Sequence, residues 1–170
     1  MRLTRRRTPK SPLAALTQGL CAGVIGNAVF TAYQELTSRS KAEEKPNDWS
    51  ETPEPAQVGQ RIAEGVFHRD VPLERAGTVT NVMHWLYGSC WGAVYGVIQE
   101  SVRRPVVSGV TLTGAVMAAD YTLLPAMKLY EPPWRYPARS LAKDFATHLV
   151  HGLAIAGAYR ALDAVLEARR

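Results

Sequence analysis

The chain has 170 residues and a net charge of +5 at neutral pH, with Arg outnumbering Lys by 15 to 5. That length sets one domain as the expectation. The basic surplus does not form a nucleic-acid face: it gathers at the ends of apolar runs, as Arg5-Arg6-Arg7, Arg103-Arg104 and Arg169-Arg170, which is where topology signals of a membrane protein stand.

Residues 1–11 form a basic tail, expected in the cytoplasm. They resemble the positive start of a signal peptide, but the apolar run that follows is too long for one and carries Gly19, Gly23 and Gly26. Thr8-Pro9 also stands where a twin-arginine signal needs a large apolar residue, so a retained anchor is expected. Ser11 to Gln34 is 24 residues without Asp, Glu, Lys or Arg. At 1.5 Å per residue such a helix covers a hydrocarbon core of about 30 Å. The first span is placed at 12–36, with Pro12 at a first-turn position. The mean hydropathy of −0.13 is low for a membrane protein, because polar stretches offset the apolar ones. A soluble bundle of fully buried helices is the competing reading.

The extramembrane segment 37–77 contains a short amphipathic helix over Pro53 to Phe67. Val58, Ile62, Ala63, Val66 and Phe67 share one face, with Arg61 and Glu64 on the other, a pattern suited to the interface or to capping a bundle. Trp49 suits a headgroup anchor. The second span, 78–99, lies in another 24-residue run without charge, Ala76 to Gln99. A basic turn leads to a third span at 106–127, which contains Asp120 and ends near Pro125. Tyr130 to Pro137 is rich in proline and aromatics and fits an interface. The fourth span is placed at 144–166, where Arg160 snorkels to water.

The expected fold is all-α: a four-transmembrane-helix antiparallel bundle, with residues 12–170 forming one membrane domain in the lipid bilayer. Short turns between apolar helices force antiparallel neighbours. The denser basic segments place both termini in the cytoplasm of a bacterium, across its inner membrane. Gly19 and Gly23 on the first helix, and Gly88, Gly92 and Gly96 on the second, recur every four residues as a glycine zipper. Such stripes allow close backbone approach where lipid supplies no hydrophobic drive. Gly109, Gly114, Ala115 and Ala118, and then Gly152, Ala156 and Gly157, fit the same scheme. Packing within the chain, a homodimer and a membrane-protein partner all remain open for these stripes. Cys21 and Cys90 are expected as buried thiols, and no metal-type cysteine spacing occurs.

Asp120 is costly inside a span, by about 2.5–3.5 kcal/mol on insertion scales. Helical rise places it about 10 Å below the outer surface, with His84, His148 and His151 at about 9, 6 and 10 Å. Asp144, His148 and His151 share one face, Asn81, His84 and Gly88 another, and Gly23, Asn27, Thr31 and Glu35 a third. An outward-opening polar pocket built by all four helices is therefore expected. Its chemistry has several readings: a relay of protons or cations, a divalent metal on Asp120 and the histidines, haem held between His84 and His148 or His151, or a purely stabilising polar core in an accessory protein. No cofactor is specifically called for. No nucleophile elbow or phosphate loop occurs, so an enzyme is not the expectation.

Several features stand together: the Gly-rich first helix closing on Glu35, Asn81 and His84 opening the second, and the proline that ends the third. Pro133-Trp134 followed by Asp144 and His148-Leu149-Val150 is the most specific. In these the chain resembles the YagU family of small bacterial inner-membrane proteins. The likeness skips Thr37 to Ala76 and does not extend to Asp120. It implies a four-helix inner-membrane protein and no settled activity.

Overall fold

The computed structural model describes residues 10–37 and 46–168. The arginine clusters at 5–7 and 169–170 lie outside the described residues, as does most of the basic tail. Among the described residues the chain is helical, without strands. The long elements are α1 (Pro12–Thr37), α2 (Glu54–Gly65), α3 (Ala76–Val102), α4 (Pro105–Ala126) and α5 (Ala138–Ala168). Three helices, α1, α4 and α5, are long and apolar enough to cross a membrane. Helix α3, without charge from Ala76 to Gln99, stands outside that group because Gly, Ser, Tyr, Trp and His dilute its aliphatic content.

Helix α5 starts six residues before the expected span. Its first turn follows Pro137 directly, with Ser140 N–H donating to Pro137 O at 3.0 Å or less (2.9 Å). The added turn carries exposed Arg139 and Lys143, which membrane insertion disfavours but helix formation tolerates. The α3–α4 turn closes on Arg103, whose left-handed backbone (φ 56°) sends its N–H to Gln99 O at 2.8 Å.

Glycine sets the spacing of α1 and α3. A Cβ on Gly19 would meet the backbone of Gly92, one on Gly23 that of Ser89 and Gly92, and one on Gly96 the carbonyl of Ala15 at 2.1 Å. As the residue number rises along α1 it falls along α3, so these two helices run in opposite directions. Gly26 of α1 meets Ile155 of α5, and Gly109 of α4 meets Gly152 of α5. Two of the expected packing glycines do not pack: Gly114 and Gly157 have nothing within 4 Å of an added Cβ. Cys21 and Cys90 likewise are exposed on the outside of the helices, not buried. Between α1, α3, α4 and α5 lies a core that includes Ala22, Tyr95, Leu112, Ile155 and Tyr159, each fully buried.

Helix α2 crosses the start of α3. Ala56 is buried there, and Gly59 is close to Val79 and Met83. Arg61 donates to Met127 O at the end of α4. The expected apolar face of α2 is only partly used, because Ile62, Val66 and Phe67 are exposed.

At the opposite end, α1 begins beside the α3–α4 turn and the last turns of α5. Lys10 pairs with Asp163 and bonds Gln18, and its backbone N–H donates to Glu100 Oε2 at 3.2 Å. Gln18 donates from Nε2 to Tyr159 O at 3.0 Å and to Asp163 Oδ1 at 2.8 Å. The start of α1, the α3–α4 turn and the end of α5 therefore share one end of the molecule.

Candidate functional site

At the α2 end, the long helices part around a cavity of about 360 Å³. Asp120, His84, His148 and His151, expected at similar depths, all line it, together with Asn27 and Asp144. Glu35 does not. It is exposed, and Gln34 faces the cavity instead.

His148 is the hub. Its Nε2 is 3.4 Å from Asp120 Oδ2 on α4, and its Nδ1 is 3.4 Å from Asp144 Oδ1 one turn earlier on α5. Nδ1 is also 3.0 Å from the Asp144 carbonyl. The carbonyl only accepts, so Nδ1 donates to it, while the two carboxylates stand at ion-pair distance from the ring, a setting that suits an imidazolium. The trio thus has a place for one proton more than a neutral imidazole holds, shared between side chains of two helices.

Two tyrosines complete the carboxylates. Tyr87 of α3 donates to Asp120 Oδ1 at 2.5 Å, and Tyr121 of α4 donates to Asp144 Oδ2 at 3.0 Å. Neither tyrosine was among the residues expected from sequence. Tyr87 sits three residues after His84, hence on the same helical face, and Tyr121 adjoins Asp120; those spacings were the available signals. Tyr121, Tyr130 and Tyr136 pack together at the rim, with ring centroids 5.9–6.3 Å apart. Burial pushes the Tyr130 phenol above its ordinary range, and the neighbouring Glu54 carboxylate adds to the shift.

The other wall belongs to α1 and α3. Thr31 gives its single hydroxyl proton to Asn27 O at 2.9 Å, so its oxygen accepts from His84 Nε2 at 3.1 Å and fixes that tautomer. Asn27 donates to His84 O at 3.3 Å, in space that exists because residue 88 has no Cβ: one placed there would lie 2.3 Å from Asn27 Oδ1. Phe30 packs against His84 (6.2 Å between centroids) and against His151 (5.0 Å). His151 is only 6% exposed, and its Nε2 has no hydrogen-bond partner. Unpartnered buried polar nitrogens are uncommon and call for an explanation.

Among the described residues, no group of three or more His, Cys, Asp or Glu is arranged to hold a metal ion. The arrangement supplies proton donors and acceptors in an otherwise apolar wall. No family model, no curated protein and no solved structure matches this chain.

Proposed function

We propose that this chain is a four-span antiparallel bundle of the bacterial inner membrane that takes up protons or small cations through the Asp120–His148–Asp144 trio. The observation that carries the proposal is the position of His148, with one ring nitrogen 3.4 Å from each of two carboxylates on the wall of a cavity. Membrane placement is supported by three apolar helices and by a fourth, α3, that has no charge from Ala76 to Gln99. Kinship with the YagU-like proteins belongs to the same proposal and rests on the residues quoted for it. Both termini are assigned to the cytoplasm because the α1 start, the Arg103-Arg104 turn and the α5 end share one face of the molecule.

A half-buried carboxylate–imidazole–carboxylate array is costly unless the protonation state matches the neighbours, which makes it responsive to protons and cations. A second reading draws on Tyr87 and Tyr121: their donations to Asp120 and Asp144 close the network, as a purely stabilising core would. Asp120→Asn separates the two. In proteoliposomes carrying an internal pH dye, the parent protein is expected to take up protons or to exchange them for sodium, and Asp120→Asn to lose that signal while keeping its circular dichroism. A variant that unfolds more easily, with parent uptake no greater than in empty vesicles, would establish the stabilising reading instead.

A further inference from the structure

We infer that the cavity binds an organic cation with an apolar body, such as a substituted ammonium ion. The inference rests on the proposed cation-handling reading and narrows it to a ligand class. Size is the first argument. At about 360 Å³ the cavity has far more space than a proton or a bare metal ion needs. It falls within the range of small-molecule sites.

The charge of the wall gives the sign. Among the described residues, three carboxylates, Glu54, Asp120 and Asp144, line the cavity, and neither Lys nor Arg does. Even with His148 as imidazolium the wall carries net negative charge. Aromatic faces give the second means of recognition. Phe30, Tyr87, Trp91 and Tyr130 come from three different parts of the chain to the same cavity, and ring faces attract alkylammonium groups most strongly where water is excluded. His151 adds an independent observation: it lines the cavity, lies more than nine-tenths buried, and has an Nε2 without a partner. A ligand bearing a polar group beside its cation would complete that nitrogen. An anion meets three carboxylates here, and a neutral hydrocarbon gains nothing from their charge.

The experiment uses the full chain in nanodiscs and isothermal titration with benzyltrimethylammonium, compared with its uncharged isostere neopentylbenzene. Saturable binding of one cation per chain is expected, with neopentylbenzene showing only partition into lipid. Asp120→Asn and Trp91→Leu should each weaken the cation by about tenfold, the loss of one charge-assisted or cation–π contact. Glu54→Gln, at an exposed position that opens α2, should weaken it without affecting folding. Equal binding of both probes, or cation binding indifferent to Asp120 and Glu54 in folded variants, overturns the inference. Asp120-dependent proton or sodium uptake without any benzyltrimethylammonium binding would overturn the ligand class and leave the cation-handling reading intact. Loss of both signals would remove the two together.

Discussion

The contact between α1 and α3 yields the sharpest mechanical prediction, because it is made by backbone rather than by side chains. An alanine Cβ at residue 92 would stand 2.4 Å from both Gly19 O and Gly23 Cα. Ordinary contact starts at 3.4 Å, so the helices must part by about 1 Å, and a gap of that size forfeits up to half the dispersion energy of each contact along the stripe. Neither obstacle is the tip of a flexible side chain, so rotamer changes offer no escape. Overpacking of this kind costs about 1–3 kcal/mol. Gly114→Ala is the internal control: nothing lies within 4 Å of its Cβ, so it should be neutral or stabilising by up to about 1 kcal/mol, as helix propensity dictates. A reversible titration from mild detergent into dodecyl sulfate, followed by far-ultraviolet circular dichroism, measures the difference. The two variants should be separated by about 2 kcal/mol. Equal stabilities, or a greater loss at Gly114, would refute the packing argument. The mass of the detergent complex adds a further discrimination. If the stripe served a homodimer, Gly92→Ala would change the mass and leave the monomer's stability alone.

Two more outcomes follow from single side chains. Gln18→Leu keeps the volume but removes one hydrogen bond to Tyr159 O and a charge-assisted one to Asp163 Oδ1; their loss should lower stability by about 1–3 kcal/mol in the same titration, and a neutral result would mean that Gln18 adds nothing to the polar cluster around Lys10. Tyr130 provides the pH test. Its phenol is raised above 10.0 in the folded protein, chiefly by burial and then by Glu54, so its contribution is complete below that pH and falls as pH climbs above it. Stability measured from about pH 8 to about pH 11 should therefore decline more steeply in the parent than in Tyr130→Phe; identical slopes would place the phenol in water.

Much of the helical framework was legible because apolar spans and glycine stripes leave periodic traces. What periodicity conveys less well is which way a face points. Gly114 and Gly157 each follow a packed glycine, Gly109 and Gly152, by five residues. At 100° per residue that is about 140° around the helix, so composition suggested packing where geometry turned both outward. Glu35 failed for a related reason. Eight residues from Asn27 amounts to about 80° of rotation, whereas Gln34 at seven is only about 20° off the cavity face. The depth argument for Asp120 and the three histidines needed only helical rise and opposite chain directions, and all four reached one cavity. The Lys10–Gln18–Asp163 cluster was not read at all. Gln18 carries no charge to draw attention, and Asp163 lies near a helix end where a carboxylate suggests solvent, yet both are 7% exposed.

The two polar clusters constrain what the proposed uptake can be. His151 marks the inner limit of the cavity on α5, and Tyr159 opens the cluster around Lys10. Eight residues separate them, about 12 Å of helix. That interval is filled by Leu112, Ile155 and Ala22, each with no exposed surface, and the glycine contacts hold α1 against α3 and α5 along it. Ser108 and Thr113 are the polar side chains of α4 in that region, and Thr113 already donates to Gly109 O at 3.0 Å and lies 3.3 Å from His148 O. A hydrated path requires polar groups that keep water at each step, and among the described residues this layer offers Ser108 Oγ alone without a partner. In this conformation the cavity is therefore a vestibule reached from the α2 side. Passage to the other side would require α1 to separate from α3 or α5, the movement that Gly92→Ala forces in part. If the protein transports, that variant should alter the rate of transfer more than the affinity of the cavity; if it only binds, affinity and stability are all that Gly92 can affect.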